Sequence, residues 1–73
     1  MPIQFSDLDE IFKYHAPSPE QIEQYAEVRA AAKHFAQVVL AQVPASPDQT
    51  TAIRKIREAV MTANAAIALG GRY

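Results

Sequence analysis

The sequence predicts an all-α fold: a short N-terminal helix, then a long antiparallel two-helix hairpin that assembles into a compact homo-oligomer. Three observations carry this. Fourteen alanines and 49% apolar content stand beside only two glycines, which favours closely packed helices over strands. A Ser-Pro-acid-Gln tetrad occurs twice, at Ser18 to Gln21 and Ser46 to Gln49. A serine cap, a proline at the first helical position and a glutamine three residues after the cap together mark a helix start. Behind each tetrad, apolar residues recur at alternating spacings of three and four, as one face of a helix requires.

The first helix is expected over about 6–13. Ser6 serves as its cap, Asp7, Asp9 and Glu10 favour its N-terminal end and Lys13 its last turn, and Leu8, Ile11 and Phe12 share a face that must dock on something larger. Ala16-Pro17 and Ser18-Pro19 push the residue before each proline toward extended backbone and make a stiff elbow. The second helix should run over about 19–43, where Pro44 forbids continuation. Tyr25, Val28, Ala32, Phe35, Val39 and Gln42 form its stripe, flanked by Ile22, Ala26, Ala36, Leu40 and Val43. The third helix should span about 47–69, with Gly70-Gly71 supplying the left-handed residue that closes it. Ile53, Ile56, Val60, Ala63 and Ile67 make a seam against the second helix, and the many alanines between them allow another backbone to approach closely. The short connection makes the long helices antiparallel neighbours, and the two tetrads read as one capping solution used twice.

Seventy-three residues allow one domain, 1–73, whose monomeric core is marginal without help from oligomerisation. No cysteine is present, so there is neither a disulfide framework nor a thiolate metal site, which fits a reducing cytoplasm. A formal net charge of −1 lacks the basic footprint of a DNA or RNA binder. No export signal and no stretch of membrane-spanning length is apparent, so no membrane partner is expected.

Six residues stand out as candidates for ligand binding. Tyr14 and His15 precede the elbow, where a ring can stack on a base and an imidazole can hydrogen-bond; by residue chemistry alone, a packed tyrosine and a solvated loop histidine are favoured. Arg29 and Lys33 lie four apart, offering two cations to one phosphate or to neighbouring phosphates, or else forming a solvated basic stripe. Asn64, with Thr62, interrupts the most apolar stretch and must meet a ligand, another subunit or the neighbouring helix, a structural hydrogen bond being favoured over a ligand. Arg72 follows the glycine pair and should be mobile unless a ligand or subunit orders it. Arg54, Lys55 and Arg57 read as one solvated basic cluster. The histidines His15 and His34 match no metal-ligand spacing, and no serine is supported by a base and an orienting acid, so neither a metal, a cofactor nor a catalytic residue is expected.

The ordered elements Tyr14-His15-x-Pro17, Gln21, Tyr25, Arg29-x-Ala31-Ala32-Lys33, Ala52-Ile53, Arg57-Glu58-Ala59-Val60-Met61 and Ala63-Asn64-Ala65-Ala66-Ile67-Ala68 resemble the helical hairpin of phage anti-CBASS sponge proteins, a hairpin also found in anti-Thoeris sponges. The resemblance covers about 12–69. It implies a phage protein, acting in the cytoplasm of the infected bacterial host, that binds cyclic dinucleotides and cyclic trinucleotides such as cyclic GMP-AMP and cyclic tri-AMP without cleaving them. It also implies a homohexamer in which dinucleotides lie between paired subunits and trinucleotides at three-subunit junctions. By position, Tyr14 resembles the family's base-stacking tyrosine, and Arg29 falls where a basic residue meets phosphate. Thr62 departs from the tryptophan that many hairpin relatives carry. The rival expectation is an oligomerising helical hairpin that binds no nucleotide.

Overall fold

The computed structural model describes residues 2–73, with α1 (Leu8–Ile11), α2 (Pro19–Gln42) and α3 (Pro47–Ala68) as its α-helices and no strand among the described residues. A single 3-10 turn, Phe5–Asp7, leads directly into α1. Gln4, not Ser6, precedes this turn: its N–H donates to the Asp7 carboxylate at 2.8 Å, and its carbonyl accepts from the Asp7 N–H at 2.9 Å. α1 stops two residues before Lys13, and its apolar face is left largely uncovered within the chain. Phe12 is 81% exposed and Leu8 is also exposed, because a single turn of helix presents no continuous stripe to bury.

At the start of α2 the Ser18 side chain accepts from the Gln21 N–H (3.1 Å), while the Gln21 side-chain oxygen accepts from the Ser18 N–H (2.9 Å). Both orphan donors are thereby satisfied. The other end of the same amide donates from Nε2 to the Ile67 carbonyl (3.1 Å), so one glutamine both caps α2 and pins the end of α3. The second tetrad is used differently. Ser46 accepts from the Gln49 N–H (3.1 Å), but Gln49 Nε2 turns back to the Val43 carbonyl (3.0 Å) and ties off the end of α2. Only the serine cap is thus repeated. α3 closes on Gly70 (φ +64°) and Gly71 (φ +77°), with Gly71 N–H donating to the Ala66 carbonyl and Gly70 N–H to the Ile67 carbonyl; this is the reciprocal pair of bonds that a left-handed residue makes possible.

The two glutamine bonds lie at opposite ends of the hairpin and set α2 and α3 antiparallel. Gln21, Tyr25, Val28, Ala32, Ala36 and Val39 are the more buried positions of α2, against Gln49, Ala52, Ile53, Ile56, Val60, Ala63, Asn64 and Ile67 of α3. The α3 seam follows the expected heptad-like spacing. On α2, Ala36 takes the place expected of Phe35, which is 59% exposed; both positions are one turn from Ala32, and a small side chain permits the closer approach of helices. The core is one seam thick. Val39 is the sole buried hydrophobic residue among the described residues.

This thinness has a measurable consequence. The chain exposes 6002 Å², whereas a folded monomer of 8.0 kDa is expected to expose about 4,500 Å². The excess, about 1,500 Å², equals roughly two protein-side halves of a standard interface.

Candidate functional site

One network centred on Glu10, one groove and two separate positions, Tyr14 and Asn64, hold the side chains of interest. At the end of the hairpin where α2 begins and α3 finishes, Glu10 is the hub. Its carboxylate lies 3.3 Å from an Arg72 terminal nitrogen, which donates to it, and 3.6 Å from Lys13 Nζ. The backbone carbonyl of Glu10 accepts from His15 Nε2–H at 2.8 Å, and His15 Nδ1 stands 4.0 Å from the carboxylate. The hydrogen bond from Arg72, and then the charge of Lys13, hold the Glu10 carboxyl below its ordinary range. Arg72 also donates from Nε to the Leu69 carbonyl (3.0 Å) and lies 5.8 Å from the centre of the Tyr73 ring, within cation–π range.

Arg72 thus has a partner within its own chain, Glu10, beside the ligand or subunit that the sequence left open. His15 likewise leaves the solvated-loop description behind: its side chain is 19% exposed. Tyr14, next to His15 just before the elbow, is 82% exposed, and no side-chain hydrogen bond holds it among the described residues. A ring presented in this way has a free face for stacking.

Farther along the hairpin, the exposed Arg29 and Lys33 of α2 and Arg57 of α3 line an open groove of about 350 Å³ together with Ala32, Ile56, Val60 and Met61. The four-residue spacing aligns the first two cations on one side of α2. The antiparallel register brings Arg57 opposite. All ion pairs among the described residues involve Glu10, so none of these three cations is neutralised within the chain. The sequence reading grouped Arg57 with Arg54 and Lys55, yet Lys55 lines a different groove, because two residues rotate a helix by some 200°.

That second groove, about 590 Å³, is apolar: Val28, Ala31, Phe35, Ala52, Ala59 and Ala63 are among its lining. Asn64 lies half-buried within the hairpin seam, and its Oδ1 is shielded from solvent with no hydrogen-bond partner among the described residues. The neighbouring helix does not satisfy it. A buried acceptor left unpaired costs about 1–3 kcal/mol.

The six residues singled out from sequence thus fall in four places. His15 and Arg72 share the Glu10 hub, Arg29 and Lys33 share the cationic groove, Tyr14 stands on the elbow and Asn64 in the seam. Glu10 and Arg57 were missed. Contacts five and 62 residues apart around Glu10 leave no local pattern to read. Arg57 could have been separated from its neighbours by helical phase alone. No group of His, Cys, Asp or Glu able to hold a metal ion occurs among the described residues. No described helix is long and apolar enough to cross a membrane.

The family model for the Acb2/Tad1 hairpin domain matches residues 6–68, a span that includes the elbow, the cationic groove and Asn64. No curated protein and no solved structure gives a significant match.

Proposed function

The chain belongs to the Acb2/Tad1 hairpin-domain family, the anti-CBASS and anti-Thoeris sponges, and on that premise we propose that it is a phage anti-defence sponge that binds and sequesters cyclic di- and trinucleotide immune signals in the host cytoplasm without cleaving them. The observation that carries this reading is the coincidence, within the matched span, of an exposed tyrosine on a stiff elbow with a groove rimmed by unneutralised cations. A cyclic oligonucleotide offers both of the chemistries these features accept. Tyr14 stacks on a base, and Arg29 and Lys33 meet phosphodiester oxygens through charge-assisted hydrogen bonds. His15 and Arg72, gathered by Glu10, hold the elbow that presents Tyr14. Asn64 offers its buried carbonyl oxygen to a donor on the ligand or on a neighbouring copy.

The active form is a homo-oligomer, in this reading a hexamer. The surplus exposed area and the groove around Phe35 and Ala59 support it, since an apolar face of that size is ordinarily covered. Pairing of hairpins also lets Tyr14 of one copy approach the cationic groove of another. Sequestration needs no chemical step: starving the effector of its activator is sufficient.

Differential scanning fluorimetry against cyclic GMP-AMP, cyclic tri-AMP and linear AMP tests this reading. A ligand at a hundred times its dissociation constant adds about 2.7 kcal/mol of stability. The cyclic ligands should raise the melting temperature and AMP should not; no shift with either cyclic ligand refutes the sponge. Heat-denatured complexes should return intact ligand on chromatography, and linear products, with contaminating nuclease excluded, would make the protein an enzyme.

A further inference from the structure

We propose that the N-terminal segment of each copy is a docking arm, whose Phe5, Leu8 and Phe12 seat in the apolar groove between α2 and α3 of a second copy. That copies associate at all rests on the proposed function; which element each copy lends rests on the geometry of the segment and of the groove.

The segment presents one apolar face. Side chains three apart eclipse in a 3-10 turn, which aligns Phe5 with Leu8, and Phe12 follows Leu8 by one α-helical turn, its N–H donating to the Leu8 carbonyl at 3.0 Å. Phe5 is 91% exposed and Phe12 81%, so the chain's own groove does not take them. The segment is nonetheless held: Gln4 and Asp7 close its first turn, and Glu10 ties it to Arg72 at the far end of the chain. Glu10 stands two positions from both Leu8 and Phe12, about 200° round the helix. The side chain that fastens the segment to its own hairpin therefore leaves the apolar face turned outward.

The groove of about 590 Å³ matches that face in polarity and in charge. Its lining is apolar apart from Lys55, with Val28, Phe35 and Ile56 set beside alanines that leave room between the helices. Anchors at i, i+3 and i+7, as Phe5, Leu8 and Phe12 are, suit a helix laid into such a groove. Lys55 has no acidic partner among the described residues and stands between Arg54 and Arg57, whereas the segment carries Asp7, Asp9 and Glu10 against the single Lys13. Asp9 borders the apolar face, four positions after Phe5 and three before Phe12, where it can meet this cationic lip. The areas agree as well. Two exchanged arms bring about 500–850 Å² of phenylalanine surface, and with a comparable area of groove the total reaches about 1,000–1,700 Å², the size of a standard interface.

The experiment uses the full chain with benzoylphenylalanine in place of Phe5 and, separately, in place of Phe12. Irradiation joins the probe to whatever C–H bond lies beside the ring, denaturing electrophoresis separates joined pairs from single chains, and peptide mass spectrometry locates the attachment. Expected are dimeric bands whose attachment points fall within 28–35 or 52–63 of another copy, the spans that line the groove. Light scattering on the double variant Phe5→Ala, Phe12→Ala should show association weakened by about tenfold or more, and circular dichroism should be unchanged because both rings are exposed. Attachment within one chain, or outside those spans in an assembled protein, overturns the arm and leaves the assembly standing, as does an unaltered oligomer in the double variant. A monomeric wild type overturns the arm and the assembly together.

Discussion

Phe35 is the residue on which self-association can be tested most directly. Its ring is 59% exposed, lines the apolar groove and lies outside the seam that joins α2 to α3. A phenylalanine buries roughly 150–250 Å² in full, which leaves roughly 90–150 Å² for a neighbouring copy to cover. At about 25 cal/mol per Å², that is about 2–4 kcal/mol per ring. A two-fold interface counts the ring twice, so Phe35→Ala should raise the dissociation constant of a paired unit by about 10³- to 10⁶-fold. Multi-angle light scattering at micromolar concentration reads the mass, and far-ultraviolet circular dichroism reads the helix content. The expected result is a wild-type oligomer and a Phe35→Ala species at or near 8.0 kDa with the hairpin still helical at low temperature. An unchanged oligomer in the variant refutes the placement of Phe35 in an interface, and a monomeric wild type refutes the assembly.

Three further outcomes follow from the site and its frame. Tyr14→Ala should weaken cyclic dinucleotide binding by about 1–3 kcal/mol per stacked base while leaving cyclic trinucleotide binding in place; calorimetry showing parallel loss of both ligands would mean one shared pocket. Gln21→Ala removes the acceptor for the Ser18 N–H and the donor to the Ile67 carbonyl, so stability should fall by about 1–2 kcal/mol and the melting temperature, at fixed concentration, by roughly 4–16 °C; an unaltered melt would remove Gln21 as the staple. The Glu10 carboxyl is held below its ordinary range by Arg72 and then Lys13, so its contribution is complete above the ordinary carboxylate pKa and disappears as pH falls through the depressed value. NMR signals of the Arg72 guanidinium should therefore change in acid for wild type and already show the released state at neutral pH in Glu10→Gln, and identical neutral-pH spectra for the two proteins would dismiss the clasp.

Much of the hairpin was legible from residues alone because helix starts and stops are local chemistry. Ser18, Pro19 and Gln21, Pro44, and Gly70 with Gly71 act within one turn of their own positions, and the observed ends of α2 and α3 fall within one residue of those expected. The N-terminal segment was less legible. A single turn has almost no cooperative reserve, so its boundaries follow from which side chain reaches Asp7, and Gln4 does so through its backbone.

Helical phase was the next limit. Phe35 and Ala36 satisfy the stripe equally well in sequence, and only the closeness of two antiparallel backbones decides for the smaller side chain. Helical phase by itself separates Arg57 from Lys55, sending one to the cationic groove and the other to the apolar one. Of the Glu10 partners, Lys13 and His15 are local, and only Arg72, 62 residues away, was brought there by tertiary structure. The chain's overall charge, its lack of cysteine and its family are properties of residue identity and order, so the sequence by itself determined them. Which cations go unneutralised, which ring stays outside the seam and which acceptor is stranded at Asn64 depend on how two helices rotate about their axes as they pack, and only the folded hairpin decided those.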